Sequence, residues 1–219
     1  MTEHSDSGRA PSPTLPRRPG EGAEPSHPLS LEKGEGPKPS HPPPFPTGEG
    51  REGARVQTTQ ELALARLGLK GPNAAARLQQ RGIEIPEHPN SWIATSADEQ
   101  DIVVRLGAAE FFLEHSPSPR MQALASELAA PLPGVYPVLR EDRAFVLAGE
   151  SADAVLAEMC NVNFAALPAG EAVMTMMIGV AVIVVSQGSA ARRRYRIWCD
   201  PSYGGYFWSS LQDVASTHE

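Results

Sequence analysis

One run of residues stands out for its chemistry: Arg192-Arg193-Arg194-Tyr195-Arg196. In an extended strand Arg192, Arg194 and Arg196 share one face, and Arg193, Tyr195 and Ile197 share the other. Three guanidinium groups so placed can pair with carboxylates of a partner protein, stack on RNA bases, or stand solvated at the entry to a strand. The formal net charge of −7 weighs against nucleic acid. A second set follows in Tyr203, Tyr206, Phe207 and Trp208. Helical spacing puts Phe207 on one face with Leu211 and Val214, the expected core set, and turns Tyr206 and Trp208 outward. Aromatic residues and arginine dominate interface hot spots. Arg192, Arg194, Arg196, Tyr206 and Trp208 are therefore the candidate docking surface.

Other chemistry is sparse. His4, His27, His41, His88, His115 and His218 have no metal-ligand spacing to one another. Cys160 and Cys199 lack a Cys-x-x-Cys partner, make no disulfide framework and suit a reducing compartment. Cys160, near a helix end, reads as a small core residue. No Gly-x-Gly-x-x-Gly loop follows a strand, so a dinucleotide site is unsupported. The expectation is a chain with no catalytic, cofactor or metal site of its own.

The elements that must position these residues begin late in the chain. Twelve of the 22 prolines and eight of the 19 glycines lie in the first 53 residues, where Leu15, Leu29, Leu31 and Phe45 are the large apolar residues. Such a stretch cannot offset the entropy of ordering its backbone, about 1–2 kcal/mol per residue. Its repeats, Gly-Glu-Gly from Gly20, Gly34 and Gly48 and Pro-Ser-His-Pro from Pro25 and Pro39, recur every 14 residues, too short a period for a solenoid. Residues 1–55 are expected to be a disordered tail, and 56–219 a folded domain. No signal-peptide core precedes Leu62. The longest apolar run, Ala172 to Val185, is too short for a membrane helix and is broken by Thr175 and Gly179. A soluble, cytoplasmic protein is expected.

Within the domain, Leu62–Leu69 reads as a strand or a short helix passing into one, and strands are expected around Ser91–Thr95, Asp101–Leu106, Ala144–Leu147, Val173–Ile178, Val180–Val185 and Tyr195–Cys199. Helices are expected over Ala74–Gln80, with Pro72 opening it, and over Met121–Ala130, Ser151–Met159 and Tyr206–Ala215. Ala108–Glu114 reads either way. Leu69-Lys-Gly-Pro-Asn-Ala-Ala-Ala-Arg-Leu78 aligns without gaps on Leu147-Ala-Gly-Glu-Ser-Ala-Asp-Ala-Val-Leu156, five of ten positions being identical at an offset of 78. A strand ending in leucine, a glycine turn and an alanine-rich helix thus occur twice. The fold class expected is α+β, built from duplicated ferredoxin-like β-α-β halves with antiparallel sheets, about 58–135 and 136–219.

Several segments in order resemble a known family: Arg105-Leu-Gly-Ala-Ala-Glu-Phe-Phe-Leu113; Val146 to Leu156 running on through Met159-Cys160-Asn161-Val162-Asn163-Phe164; Gly179-Val-Ala-Val-Ile-Val-Val185; and Tyr195-Arg-Ile-Trp-Cys199 with Tyr206-Phe207-Trp208. Together they resemble the γ subunit of heterotetrameric sarcosine oxidase, which is related to the folate-binding domain of the glycine-cleavage T-protein. The resemblance implies a non-catalytic assembly subunit of a complex that oxidatively demethylates N-methyl amino acids. It implies α-, β- and δ-like partners, with contact mainly to α, and FAD, FMN, NAD, zinc and tetrahydrofolate held by those partners and none by this chain. Two departures stand out: Tyr136-Pro137-Val138-Leu139 replaces the family's Asp-x-Ser segment, and Asn163 replaces an aspartate. A free-standing folate-binding or aminomethyl-transfer protein and an RNA-binding module are the alternatives.

Overall fold

The computed structural model describes residues 56–61, 64–128, 130, 132–189 and 192–218. The expected tail, residues 1–55, and Leu62 lie outside the described residues. Ten strands and four helices occur among the described residues: β1 Gln57–Glu61, β2 Ala65–Lys70, α1 Ala74–Gln80, β3 Ser91–Ala94, β4 Ile102–Gly107, β5 Glu110–His115, α2 Pro119–Leu128, β6 Tyr136–Val138, β7 Arg143–Ala148, α3 Ala152–Met159, β8 Ala172–Met177, β9 Val180–Ser189, β10 Arg192–Cys199 and α4 Gly204–Ser216. The ambiguous Phe111-Phe112-Leu113 run is strand β5, hairpinned onto β4 through Ala108-Ala109. Asn73 holds the N-cap position of α1, so Pro72 belongs to the preceding turn and not to the helix. Ser151 precedes α3 as expected, although its hydroxyl makes no capping bond.

Two antiparallel sheets form, ordered β1-β7-β10-β9-β8 and β3-β4-β5-β2-β6. Each is five-stranded, whereas a ferredoxin-like half has four strands. Both follow the same path. A first strand (β2 or β7) leads to a helix, three strands joined as hairpins return beside it, and a second helix closes the unit. The fifth strand of each sheet is the one that directly precedes the first strand of the other sheet. β1 pairs with β7 and β6 with β2, each flanking the first strand of its sheet. Neither β1 nor β6 was legible in the sequence. The two turns aligned in the sequence match in their backbone: Gly71 has φ +119° and Gly149 +122°, a region that only glycine adopts without strain. A Cβ on Gly71 would also lie 2.4 Å from the Gly134 carbonyl oxygen.

Strand alternation then builds four layers. Odd-numbered residues of β5 and β10 face helices: Phe111 and Leu113 pack with Leu78, Leu124 and Leu128, and Tyr195 and Ile197 with Val155, Leu156, Phe207 and Leu211. Even-numbered residues face the opposite sheet, where Ile102, Val104 and Phe112 meet Ala144, Val185 and Trp198. The architecture is helix pair, sheet, sheet, helix pair, and the inter-sheet layer is where buried charge is found.

Candidate functional site

At the centre of the inter-sheet layer a carboxylate, two guanidinium groups and an indole converge. β5 aims Glu114 inward beside Phe112, and β10 aims Arg196 and Trp198 inward by the same alternation. Register places Arg66 of β2 opposite Glu114. Arg196 Nη1 donates to Glu114 Oε1 at 2.9 Å, Trp198 Nε1 to Oε2 at 2.7 Å, and Arg66 Nε to Oε2 at 2.5 Å. The Arg196 and Glu114 side chains are 0% exposed. Arg196 also donates to the Gln100 carbonyl at 2.8 Å, and Gln187 Nε2 to the Glu99 carbonyl at 2.7 Å. The loop between β3 and β4 is thereby fastened to the other sheet. This arrangement of charge-assisted bonds is spent on the chain itself, each donor being turned to an acceptor within it.

A groove of about 1020 Å³ opens at one end of the same layer. Met174, Met176 and Ile183 with the edge of Trp198 form its apolar side, and Glu141, Asp142 and Asp200 its acidic rim. Burial raises the carboxyl of Asp142 above the usual carboxylate range, against the pull of Arg140. Burial also pushes the Cys199 thiol up to about 12, with Asp142 and Asp200 adding to the shift. A smaller polar cavity of about 500 Å³ lies between α2 and its sheet, with His115, Arg120 and Asp101 in its wall. His115 Nδ1 sits 2.8 Å from the Ser116 carbonyl, an acceptor, so that nitrogen carries the proton. Among the described residues no group of three or more His, Cys, Asp or Glu could hold a metal ion.

The candidate docking residues do not form one surface. Arg196 is buried in the ion-pair cluster, a correction to its place on an exposed arginine stripe; the strand's inner face is covered by the second sheet. Trp208 is also inside, 4% exposed and stacked on Phe145 at 5.8 Å, because the helix faces both α3 and the sheet and buries a wider stripe than one heptad face. Tyr206 is exposed, its hydroxyl donating to the Ile178 carbonyl at 3.1 Å. Arg194 is half-buried on β10, and Arg192 pairs with Ser189 at the start of that strand. Arg193 turns the other way, donating to the Phe164 and Ala165 carbonyls. Sequence reasoning missed Glu114 and Arg66. The available signal was a carboxylate in phase with Phe112 inside an apolar strand.

No protein-family model and no curated protein matches the sequence. Among solved structures the chain is similar to a chain of the heterotetrameric sarcosine oxidase from Corynebacterium sp. U-96 in complex with pyrrole 2-carboxylate. The identity is 21% and the TM-score 0.63, over 77% of this chain and 88% of that one. It is also similar to the glycine cleavage system aminomethyltransferase T from Bartonella henselae, at 17% identity and a TM-score of 0.51, over 72% of this chain and 45% of that one. At these identities the likeness establishes a shared fold, in agreement with the resemblance read from the sequence.

Proposed function

We propose that the chain is a non-catalytic assembly subunit, of the γ type, in a flavoenzyme complex resembling heterotetrameric sarcosine oxidase. The observation that carries this reading is the mutual coverage with a chain of that complex, 77% of this chain and 88% of that one, which requires two chains of comparable length as well as shared topology. The buried cluster supports it: Arg66, Glu114, Arg196 and Trp198 bond one another and hold two sheets in register, a structural use of the groups best suited to chemistry. On this reading α-, β- and δ-like subunits are the partners and hold FAD, FMN, NAD, zinc and tetrahydrofolate, and the complex works in the cytoplasm on N-methyl amino acids. None of the described helices is long and apolar enough to cross a membrane.

Native co-purification tests the proposal. A complex in which this chain elutes with flavin absorbance and larger subunits is the expected result; a lone monomer without flavin-bearing partners overturns it. The likeness to aminomethyltransferase T favours a second reading, folate binding by the chain alone. Saturable binding of tetrahydrofolate at micromolar concentration would replace the first reading with the second. The RNA reading loses its main support, since Arg196 is buried against Glu114.

A further inference from the structure

The two sheets have four edge strands, and three of them are blunted. β6 has three residues with Pro137 in the middle, β3 has four residues, and β1 reads Gln-Thr-Thr-Gln-Glu. Short length, proline and polar side chains are how proteins close sheet edges to other chains. β8 has none of these. It is six residues long, Ala-Val-Met-Thr-Met-Met, without charge or proline. The sheet order leaves one of its sides without a strand.

The register says which backbone groups that side presents. Ile178 and Gly179, with φ of 45° and 84°, make a two-residue hairpin turn that pairs Met177 with Val180. In an antiparallel ladder alternate residues exchange bonds with the neighbour. Met177, Thr175 and Val173 therefore bond β9, and the N–H and C=O of Met176, Met174 and Ala172 point off the edge. Ala172 shows this directly, donating outward to the Asn90 carbonyl at 2.8 Å while Trp92 donates to the Gly170 carbonyl at 2.7 Å. Asn90 and the first two residues of β3 thus start a ladder on this edge, and the chain then leaves it. Among the described residues nothing continues that ladder at Met174 and Met176, which are 54% and 56% exposed. These two side chains stand over the large groove, whose rim carries Glu141, Asp142 and Asp200. Its one guanidinium, Arg140, is bonded to Glu110 at 2.9 Å.

We propose that the open edge of β8 is a docking site for an extended, basic segment of a protein partner, which adds a strand along Met174–Met176 and sets its lysines or arginines against the acidic rim of the groove. Main-chain bonds supply affinity in this mode, and alternate side chains supply selectivity. The rim's charge selects a cation, and the exposed methionines accept varied apolar side chains. That the partner is another subunit rests on the assembly reading; the edge and its charge do not.

The test is a titration of the isotope-labelled full chain with the peptide Lys-Val-Lys-Val-Lys-Val, capped at both ends, and with its Glu-Val counterpart. The expected result is saturable movement of the Met174 and Met176 amide signals with the basic peptide and at least ten-fold weaker binding of the acidic one. Met176→Pro removes an outward N–H that takes no part in the β8–β9 ladder, and should lower affinity more than ten-fold. Asp142→Lys with Asp200→Lys, which leaves the edge intact, should reverse the preference between the peptides. The proposal is overturned if the basic peptide moves other amides, if both peptides bind alike, or if the Met174 and Met176 signals shift with protein concentration alone, which would make a second copy the occupant. If Met176→Pro chains still co-purify with flavin-bearing subunits, the docking site is wrong and the assembly reading stands. If the peptide binds but no such subunits co-purify, the reverse holds.

Discussion

Replacing Glu114 by alanine should destabilise the fold more than any surface change in the chain. The substitution leaves Arg196, 0% exposed, without its carboxylate, and deprives the Trp198 indole N–H and Arg66 Nε of their acceptor. Breaking a buried pair by removing one partner costs about 3–5 kcal/mol, and an orphaned buried donor about 1–3 kcal/mol. These effects share one acceptor and are not additive, so the expected loss is about 4 kcal/mol. For a domain of this size each kcal/mol moves Tm by roughly 2–4 °C, which gives a fall of about 8–16 °C in a calorimetric or circular-dichroism melt. The double variant Glu114→Leu/Arg196→Leu should recover at least half of that, because an apolar replacement of both partners leaves no uncompensated charge. Arg66, with its side chain 11% exposed, can then extend to water. A Glu114→Ala chain melting within about 2 °C of the native one would refute the role given to the cluster.

Trp208→Ala should cost about 3–5 kcal/mol by removing the ring stacked on Phe145, seen as a lowered Tm of the chain alone; a variant that melts normally would return Trp208 to the surface. Burial raises the Asp142 carboxyl, so its ionisation opposes folding: the native chain keeps this stability below the unfolded value of 3.8 and loses it as pH rises through the folded value. Asp142→Asn should therefore unfold at higher denaturant concentration than the native chain at pH 7, with the gap closing towards pH 4; a gap independent of pH would contradict the assignment. Cys199, buried and with its thiol pushed up to about 12, is thiolate at only about one part in ten thousand at pH 8. One cysteine, the half-buried Cys160, should react with a thiol reagent in the native chain and two after denaturation; rapid native labelling of both would show that the layer around Cys199 opens.

Local signals carried the elements with strong periodicity. α1, α3, α4 and the β8–β9 hairpin lie where apolar spacing, glycine turns and caps place them, and the Gly71 and Gly149 turns share an unusual φ that the aligned segments announced. β1 and β6 were not legible because they have no apolar period of their own: Gln57-Thr-Thr-Gln-Glu61 and Tyr136-Pro-Val138 become strands only because β7 and β2 offer free edges. The arginine run misled for a related reason. Alternation gave the correct face for Arg196, but that face is covered by a second sheet, and a single strand's sequence holds no record of its cover. Trp208 failed likewise, since a helix resting on both a sheet and a helix buries more of its circumference than an i, i+4 stripe.

Register makes one further relation visible. Leu69 stands opposite Phe111 in one sheet and Leu147 opposite Tyr195 in the other, so β5 and β10 correspond residue by residue from that pair: Phe112 to Arg196, and Glu114 to Trp198. Two contacts cross the inter-sheet layer between these positions, Phe112 on Trp198 at 5.1 Å and Arg196 on Glu114 at 2.9 Å, and the correspondence turns one into the other. The same crossing is apolar once and ionic once. An aromatic contact tolerates sliding, whereas a carboxylate accepting from three donors on three side chains fixes how the strands face each other, the best-attested use of a buried ion pair. The edges differ between the halves in the same way. β3 and β8 hold the same place in their sheets, yet β3 stops after four residues and β8 runs on, uncharged and exposed, past the point where they meet. With the interior locked and the one unblunted edge among the described strands belonging to a single half, a strand added along β8, as proposed above, would meet that half alone.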